Sequence, residues 1–583
     1  MDTLALELDQ LCDFVNEYDW LIQAHGARFF TKGYERLVPK DWLDALMQLS
    51  ETSLYLLPCL YEMVFDTTGI VPPDSLLVFL RKCKSFALPS TPEANALSLL
   101  SLPPFDGSDT AIPPLSQSPF RTVLTKGMSP KKRHEVELLA DLIYRVSLQH
   151  GCRSVLDLGC GQGYLMQVLG FYYKLDVLGV DSLPLQTNGV VRRAQQTQLL
   201  LQGLFRKNPH LDASKLDLTP VLTTLVCPID TNITMSQLSD LASTSLEVPY
   251  STDPATSSRY PKKYQPIPFR CPAIHPLLSD NGVILVGLHT CGDLAPTTLR
   301  LFHESRTVKA MINVGCCYNL MTESECPSRS EARTVSTPSY VAPTGTIVPG
   351  NSINLERHLT GYPLSHICKE KVPKLTRAAR VLACQSVWKR PAHARTSLSQ
   401  NPSRDTSAAT LECLESMISQ FPIEERVDEE GDAETSLPIH LVHRAQAFRA
   451  VLQVVYEEVY GSHNNNYSGQ YSRDYLQEFP TYCAHLLNRQ NFPPKLTEAE
   501  MEAKWQEIGV PAYHKLAAFD NLRVCFSQVL ENLIMKDRLL FLQEQNKRTG
   551  MHCQHVLFPI FDASISPRNM AFLSSKLEVP RNE

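Results

Sequence analysis

Apolar residues change period several times along this chain. Near the start they recur at three- and four-residue steps around Trp20, Phe29, Trp42 and Leu46, which predicts a helical region over residues 1–100. A further helix is predicted over His134–Gln149. From residue 154 the pattern becomes short, unbroken apolar runs, Ser154–Leu158 and Leu175–Val180, each ended by turn or acidic residues. Such runs suit strands buried on both faces, and Val221–Cys227, Val283–Leu288 and Lys309–Val314 add three more. Helical spacing returns in Phe448, Val451, Leu452, Val455 and Val459, with Gly461 as a stop, and again in Leu522, Phe526, Val529, Leu530 and Leu533. Two late strand runs follow, His555–Phe561 and Met570–Leu573, across a turn at Ser564–Arg568. Strands alternating with helices predict an α/β fold with an open, Rossmann-like sheet. If the late pair completes that sheet, the helical region before it is an insertion.

Polar stretches divide the chain further. Residues 101–125 read as a Pro- and Ser-rich linker, and 126–323 as the core of the sheet with a mobile polar insert at about 232–268. Residues 324–440 read as a largely irregular polar insert, containing a basic Ser/Thr-rich stretch at 389–409 and an acidic one at 424–435. A helical region, 441–550, precedes the final strand pair at 551–583.

At 583 residues the chain should hold two or three domains, and its 43% apolar content is enough for sizeable cores. The net charge of −6 leaves no global nucleic-acid footprint. Seventeen cysteines are scattered through apolar segments such as Val524-Cys525-Phe526, which favours reduced thiols and an intracellular setting, cytoplasmic or nuclear. Met1-Asp2-Thr3-Leu4 shows no basic segment ahead of an apolar core, so no secretory signal is expected. The run from Leu54 to Leu80 is broken by prolines and acids, so no membrane span is expected.

The first strand runs directly into Asp157-Leu158-Gly159-Cys160-Gly161-Gln162-Gly163, and the second ends in Asp181. Glycines let a backbone approach a ligand closely, and an acid at the end of the second strand accepts hydrogen bonds from ribose hydroxyls. The spacing is G-x-G-x-G rather than the dinucleotide G-x-G-x-x-G, and Asp157 would repel a pyrophosphate. A cationic, amine-bearing nucleoside fits better. S-adenosylmethionine is such a ligand, so Asp157, Gly159, Cys160, Gly161 and Gly163 are expected at its methionine end and Asp181 at its ribose. Lys131, Lys132 and Arg133 stand ahead of the first strand; Lys132 could meet the cofactor carboxylate or a substrate phosphate, or the stretch could be a solvated basic turn.

Two loops follow later strands. Gly287-Leu288-His289-Thr290-Cys291-Gly292-Asp293 places His289 beside the cofactor, as a general base or as a histidine that fixes the loop. Gly315-Cys316-Cys317-Tyr318 lies on the same rim. His289, Cys291, Cys316 and Cys317 lack CxxC spacing, and adjacent cysteines on an extended backbone diverge, so a thiol pair lining the pocket is expected rather than a metal site. There is no Asn-Pro-Pro-Tyr or Asp-Pro-Pro-Tyr tetrapeptide, which argues against exocyclic-amine methylation of adenine.

Several separated segments carry a family resemblance. They are Met128-Ser129-Pro130-Lys131-Lys132 with His134-Glu135, the turn from Asp157 to Gly163, Gly287 to Leu294, and Gly315-Cys316-Cys317-Tyr318. Ala383-Cys384-Gln385, Leu539 to Glu544 and Ser566-Pro567-Arg568 complete the set. The chain thereby resembles the family of methyltransferase-like protein 25 and its ribosomal RNA adenine dimethylase domain-containing relative, over nearly its whole length. The resemblance implies a class I methyltransferase fold and an S-adenosylmethionine-dependent enzyme. By their place past the fourth and fifth strands, His289, Cys316, Cys317 and Tyr318 are expected around the acceptor, with His289 also near the cofactor. A looser likeness to transfer-RNA 2′-O-methyltransferases tilts the acceptor toward RNA over protein. Gln162 departs from a lysine frequent in the family, and Asn319 stands where relatives tend to have histidine. The rival expectation is a non-catalytic cofactor-binding module that engages protein partners through its helical regions.

Overall fold

The computed structural model describes residues 3–93, 112–245, 282–323, 360–371, 374–391, 393–394, 437–461, 473–493 and 495–577, with the backbone of two short extended pairs at 340–341 and 347–348. Its main sheet has seven strands: β1 Ser154–Leu158, β2 Asp176–Asp181, β3 Leu222–Val226, β4 Val283–Cys291, β5 Val308–Cys316, β6 Cys553–Pro559 and β7 Met570–Lys576. They lie in the order β3-β2-β1-β4-β5-β7-β6. The first five are parallel, β7 runs antiparallel to β5, and β6 antiparallel to β7. The strand order reverses between β1 and β4. In an open α/β sheet the crevice at the carboxyl ends beside that reversal is where ligands bind.

Successive residues of a strand face opposite sides of the sheet, and both sides here are covered. Val155, Val177, Ile284, Val286 and Ile312 meet the helix Pro130–Gln149 through Val136, Leu139, Ala140 and Ile143. Leu156, Leu178, Leu285 and Met311 face the other way, toward Leu299 and Phe302 of the helix Leu294–Glu304. This second core continues without a break into the N-terminal and C-terminal helices. There α1, Thr3–Glu17, packs along the long helix Ser527–Thr549, and Glu51–Thr68 packs along Val510–Cys525. Phe14 stacks on Phe526 with ring centroids 4.9 Å apart. The helix Ser527–Thr549 is buried around most of its circumference, so its polar residues Glu531, Asp537 and Arg538 must find partners inside the protein.

Two polar segments differ from expectation. The insert anticipated at 232–268 opens with a helix, Met235–Ser245, because Met235, Leu238 and Ala242 share a face and bury it. Its remainder lies outside the described residues. Within 324–440, helices His366–Lys371 and Arg377–Ala383 form where Ile367, Cys368, Ala379 and Leu382 recur at helical spacing and bury. The basic stretch starting at 389 is also anchored at its beginning: Arg390 lies over the Tyr55 ring at 4.4 Å and donates to the Tyr55 carbonyl. The acidic stretch 424–435 lies outside the described residues. Among the described residues every cysteine is free, and no helix is long and apolar enough to cross a membrane.

Candidate active site

The turn after β1 is held by its own backbone. Gly159, Gly161 and Gly163 have φ of 77°, 52° and 73°, left-handed values that cost a residue with a Cβ about 1–2 kcal/mol. A Cβ on Gly163 would also lie 2.7 Å from Val190 Cγ2. The amides of Gly159 and Cys160 donate to the Val180 carbonyl, tying the turn to the end of β2. Asp181 completes that tie, its Oδ2 accepting from the Gly161 amide and its Oδ1 from the Leu183 amide, both at 3.0 Å. Each oxygen keeps a further lone pair for a ligand hydroxyl.

Beneath the turn lies Asp157. Its carboxylate is buried, and Oδ1 has no hydrogen-bond partner in the protein. Burial, reinforced by the Asp181 charge and only partly offset by Lys132, pushes its carboxyl from 3.8 up to about 7. An acceptor so placed calls for a donor from outside the chain. Gln162, at the position where a lysine is frequent, accepts from Arg193 at 2.7 Å, and Arg193 lies 3.7 Å over the Tyr164 ring. Cys160, also expected at the cofactor, has its thiol buried beside Gly179 and its amide engaged within the turn.

At the far side of the crevice, β4 shifts register against β5 between Leu288 and Thr290, and His289 takes a left-handed φ of 61°. Its Nε2 meets Glu135 Oε2 at 2.8 Å. Glu135 is fully buried at the start of the helix Pro130–Gln149, whose first turn is capped by the Ser129 hydroxyl on the Lys132 amide. Burial alone would raise the Glu135 carboxyl; the His289 hydrogen bond and charge, with Lys131 and Lys132, hold it down at about 2. Its second oxygen accepts from Ser566 at 2.7 Å, and Lys132 Nζ is 3.8 Å from the first. An ionised carboxylate on Nε2 fixes the proton there and leaves Nδ1 as the basic nitrogen.

Cys291, Cys316 and Cys317 converge. Their Sγ atoms are 3.2, 3.4 and 3.6 Å apart, with Cys291 exposed, Cys316 buried and Cys317 between. The expectation that the adjacent pair would diverge is corrected by the backbone: Cys317 is left-handed, with φ 49° and ψ 51°, so the alternation of an extended strand ends at Cys316. Hydrogen bonds from Cys291 and then Cys316 pull the Cys317 thiol well below its ordinary value. Tyr318, expected around the acceptor, is buried, and its hydroxyl donates to Glu531 at 2.8 Å. Burial and the Glu531 charge raise it well above the ordinary tyrosine range.

Sequence reasoning assigned no role to Glu135, Ser566, Glu531 or Arg568. Arg568 pairs with Glu531 at 2.6 Å and donates to the carbonyls of Ala383 and Cys384. The turn between β6 and β7 therefore steadies both the His289 side, through Ser566, and the Tyr318 side, through Arg568. The one signal for these contacts was that Ser566-Pro567-Arg568 and Ala383-Cys384-Gln385 accompanied the glycine turn as a set.

Residues 131–324 match a protein family described as "Methyltransferase domain". With the seven-strand order and the glycine turn, this defines a methyltransferase domain of the class I, Rossmann-like kind. Beyond that domain the chain is similar to human "Probable methyltransferase-like protein 25", 24% identical over 524 residues that cover 77% of this chain and 75% of that protein. It is equally similar, 24% over 530 residues, to the mouse protein of the same name, with 77% and 75% covered. No solved structure matches the chain.

Proposed function

We propose that this protein is an S-adenosylmethionine-dependent methyltransferase, with RNA favoured over protein as the acceptor. The observation that carries the reading is the buried, unpartnered Oδ1 of Asp157 beneath three left-handed glycines. These residues fit the group. Asp157 would take the cofactor ammonium, the glycine turn would admit its methionine chain without a Cβ in the way, and Asp181 would accept from the ribose. Lys132, 3.8 Å from Glu135 and within electrostatic reach of Asp157, would meet the cofactor carboxylate. When bound, the cofactor supplies a methyl group already activated on sulfonium, so alignment of the acceptor provides much of the rate. His289 then has the role of base. Glu135 orients the ring, and Nδ1 receives the acceptor proton. Lys131, Lys132 and Arg133 at the same rim support a phosphate-bearing acceptor, as does the likeness to RNA 2′-O-methyltransferases.

The test is calorimetric titration with S-adenosylhomocysteine, followed by labelled-methyl transfer into cell extract. The expected result is micromolar binding lost in Asp157→Ala and label removed by ribonuclease but not by protease. Protease-sensitive label would move the acceptor to protein. Binding without any turnover would favour the non-catalytic module.

A further inference from the structure

We propose that Cys291, Cys316 and Cys317 form a zinc-binding site with three thiolate ligands and an open fourth position. The inference is independent of the methyl-transfer reading, because it rests on the thiols alone.

Three features bring the sulfurs together, and each departs from regular strand geometry. The register shift in β4 aligns Cys291 opposite Cys316 on the neighbouring parallel strand. His289, just before it, is left-handed at φ 61°. Cys317 is left-handed as well, which returns its side chain to the face occupied by its neighbour. Two non-glycine residues in that region cost about 1–2 kcal/mol each, and their joint effect is to gather three thiols on one rim. A gathered set of soft ligands is what a metal of the zinc class selects.

The separations suit a metal better than a covalent bridge. At 3.2 to 3.6 Å no two sulfurs are bonded, since a disulfide holds them at about 2.05 Å. Thiolates about 2.3 Å from a tetrahedral zinc are roughly 3.8 Å apart, so the three pairs need open by about 0.2 to 0.6 Å. Among the described residues no fourth ligand atom completes the cluster. Cys384, within electrostatic reach of Cys291 and Cys317, is instead engaged with Asn319 Oδ1 at 3.5 Å. Three protein ligands and an exposed flank are the pattern of zinc sites that keep a position for water or a substrate atom.

The experiment is elemental analysis of the full chain, purified reduced and without chelator or metal-affinity resin, then titrated with cobalt(II). About one zinc per chain is expected, together with thiolate-to-cobalt charge-transfer absorption in the reconstituted protein. Cys291→Ser and Cys317→Ser should each lower zinc content at least about tenfold. Cys553→Ser, outside the cluster, should keep it. Far-UV circular dichroism checks that the variants are folded, and the cobalt titration of the unaltered chain stands even if they are not. Wild-type protein that takes up neither metal under reducing conditions would overturn the proposal. So would folded Cys317→Ser protein with undiminished zinc, or a Cys291–Cys316 disulfide as the form isolated under reduction.

Discussion

Replacing Asp157 by Asn should stabilise the ligand-free protein while abolishing cofactor binding, and the two effects should depend on pH in opposite senses. Burial and the Asp181 charge raise the folded-state carboxyl to about 7 from an ordinary 3.8. Between these values the folded chain holds a proton that the unfolded chain has released. Stability therefore falls as pH rises from about 4 toward 7, and the whole penalty is present above 7. Integrating that linkage gives a cost larger by about 2–3 kcal/mol at pH 8 than at pH 5, an upper range because the buried site can relax. Asn carries no charge to desolvate, so its advantage in thermal melting should be distinctly greater at the higher pH. Binding runs the other way. A cofactor ammonium needs the carboxylate, so wild-type affinity for S-adenosylhomocysteine should fall about tenfold per pH unit below 7, with one proton released on binding. Calorimetry near pH 6 in buffers of different ionisation enthalpy counts that proton. A melting difference that does not change with pH, together with binding that releases no proton, would refute the assignment of Asp157.

Other outcomes follow from the same geometry. Tyr318→Phe should cost about 1–3 kcal/mol, because it removes a buried hydrogen bond to the Glu531 carboxylate and leaves Oε1 to Arg568 alone, yet leave the turnover number unchanged; a collapse of turnover in a folded variant would give Tyr318 a catalytic role. Gly163→Ala, forced to φ 73° with its Cβ 2.7 Å from Val190, should lower the melting temperature and weaken cofactor binding, checked by scanning fluorimetry and calorimetry. His289→Ala should reduce methyl transfer by about 10²–10⁴, and Glu135→Gln should also reduce it by freeing the ring. Glu135 is held down at about 2, so the stability it contributes is present above about 4.5 and is lost as pH falls toward 2; Glu135→Gln should abolish that part of the acid dependence in melting curves.

What was legible in the sequence was local. The glycine turn, Asp157 and Asp181 could be read because strand, turn and acid are close in the chain and their residue types restrict the backbone. The late strand pair was legible from its composition, and β7 does pair with β5. The partner of Glu135 was not, since Ser566 lies 431 residues away and nothing local marks the contact. Nor was the thiol cluster, because Cys317 adopts a conformation its residue type disfavours and only the surrounding structure can impose. Met235–Ser245 was hidden by its Ser and Thr content, although its three buried positions had helical spacing.

The placement of β7 has a consequence for how the chain comes into being. Residues 317–552 must be synthesised after β5 and before β6 and β7, the second of which covers the edge of β5. At about 5–20 residues per second, a nascent chain spends on the order of ten seconds or more with the hydrogen-bonding edge of β5 uncovered. Open edges of that kind recruit other strands, so the growing chain needs shielding by its own helices or by chaperones. For the same reason a fragment ending near residue 324, though it contains the glycine turn and both cysteine loops, would lack β6, β7, Ser566 and Arg568, and should aggregate instead of folding.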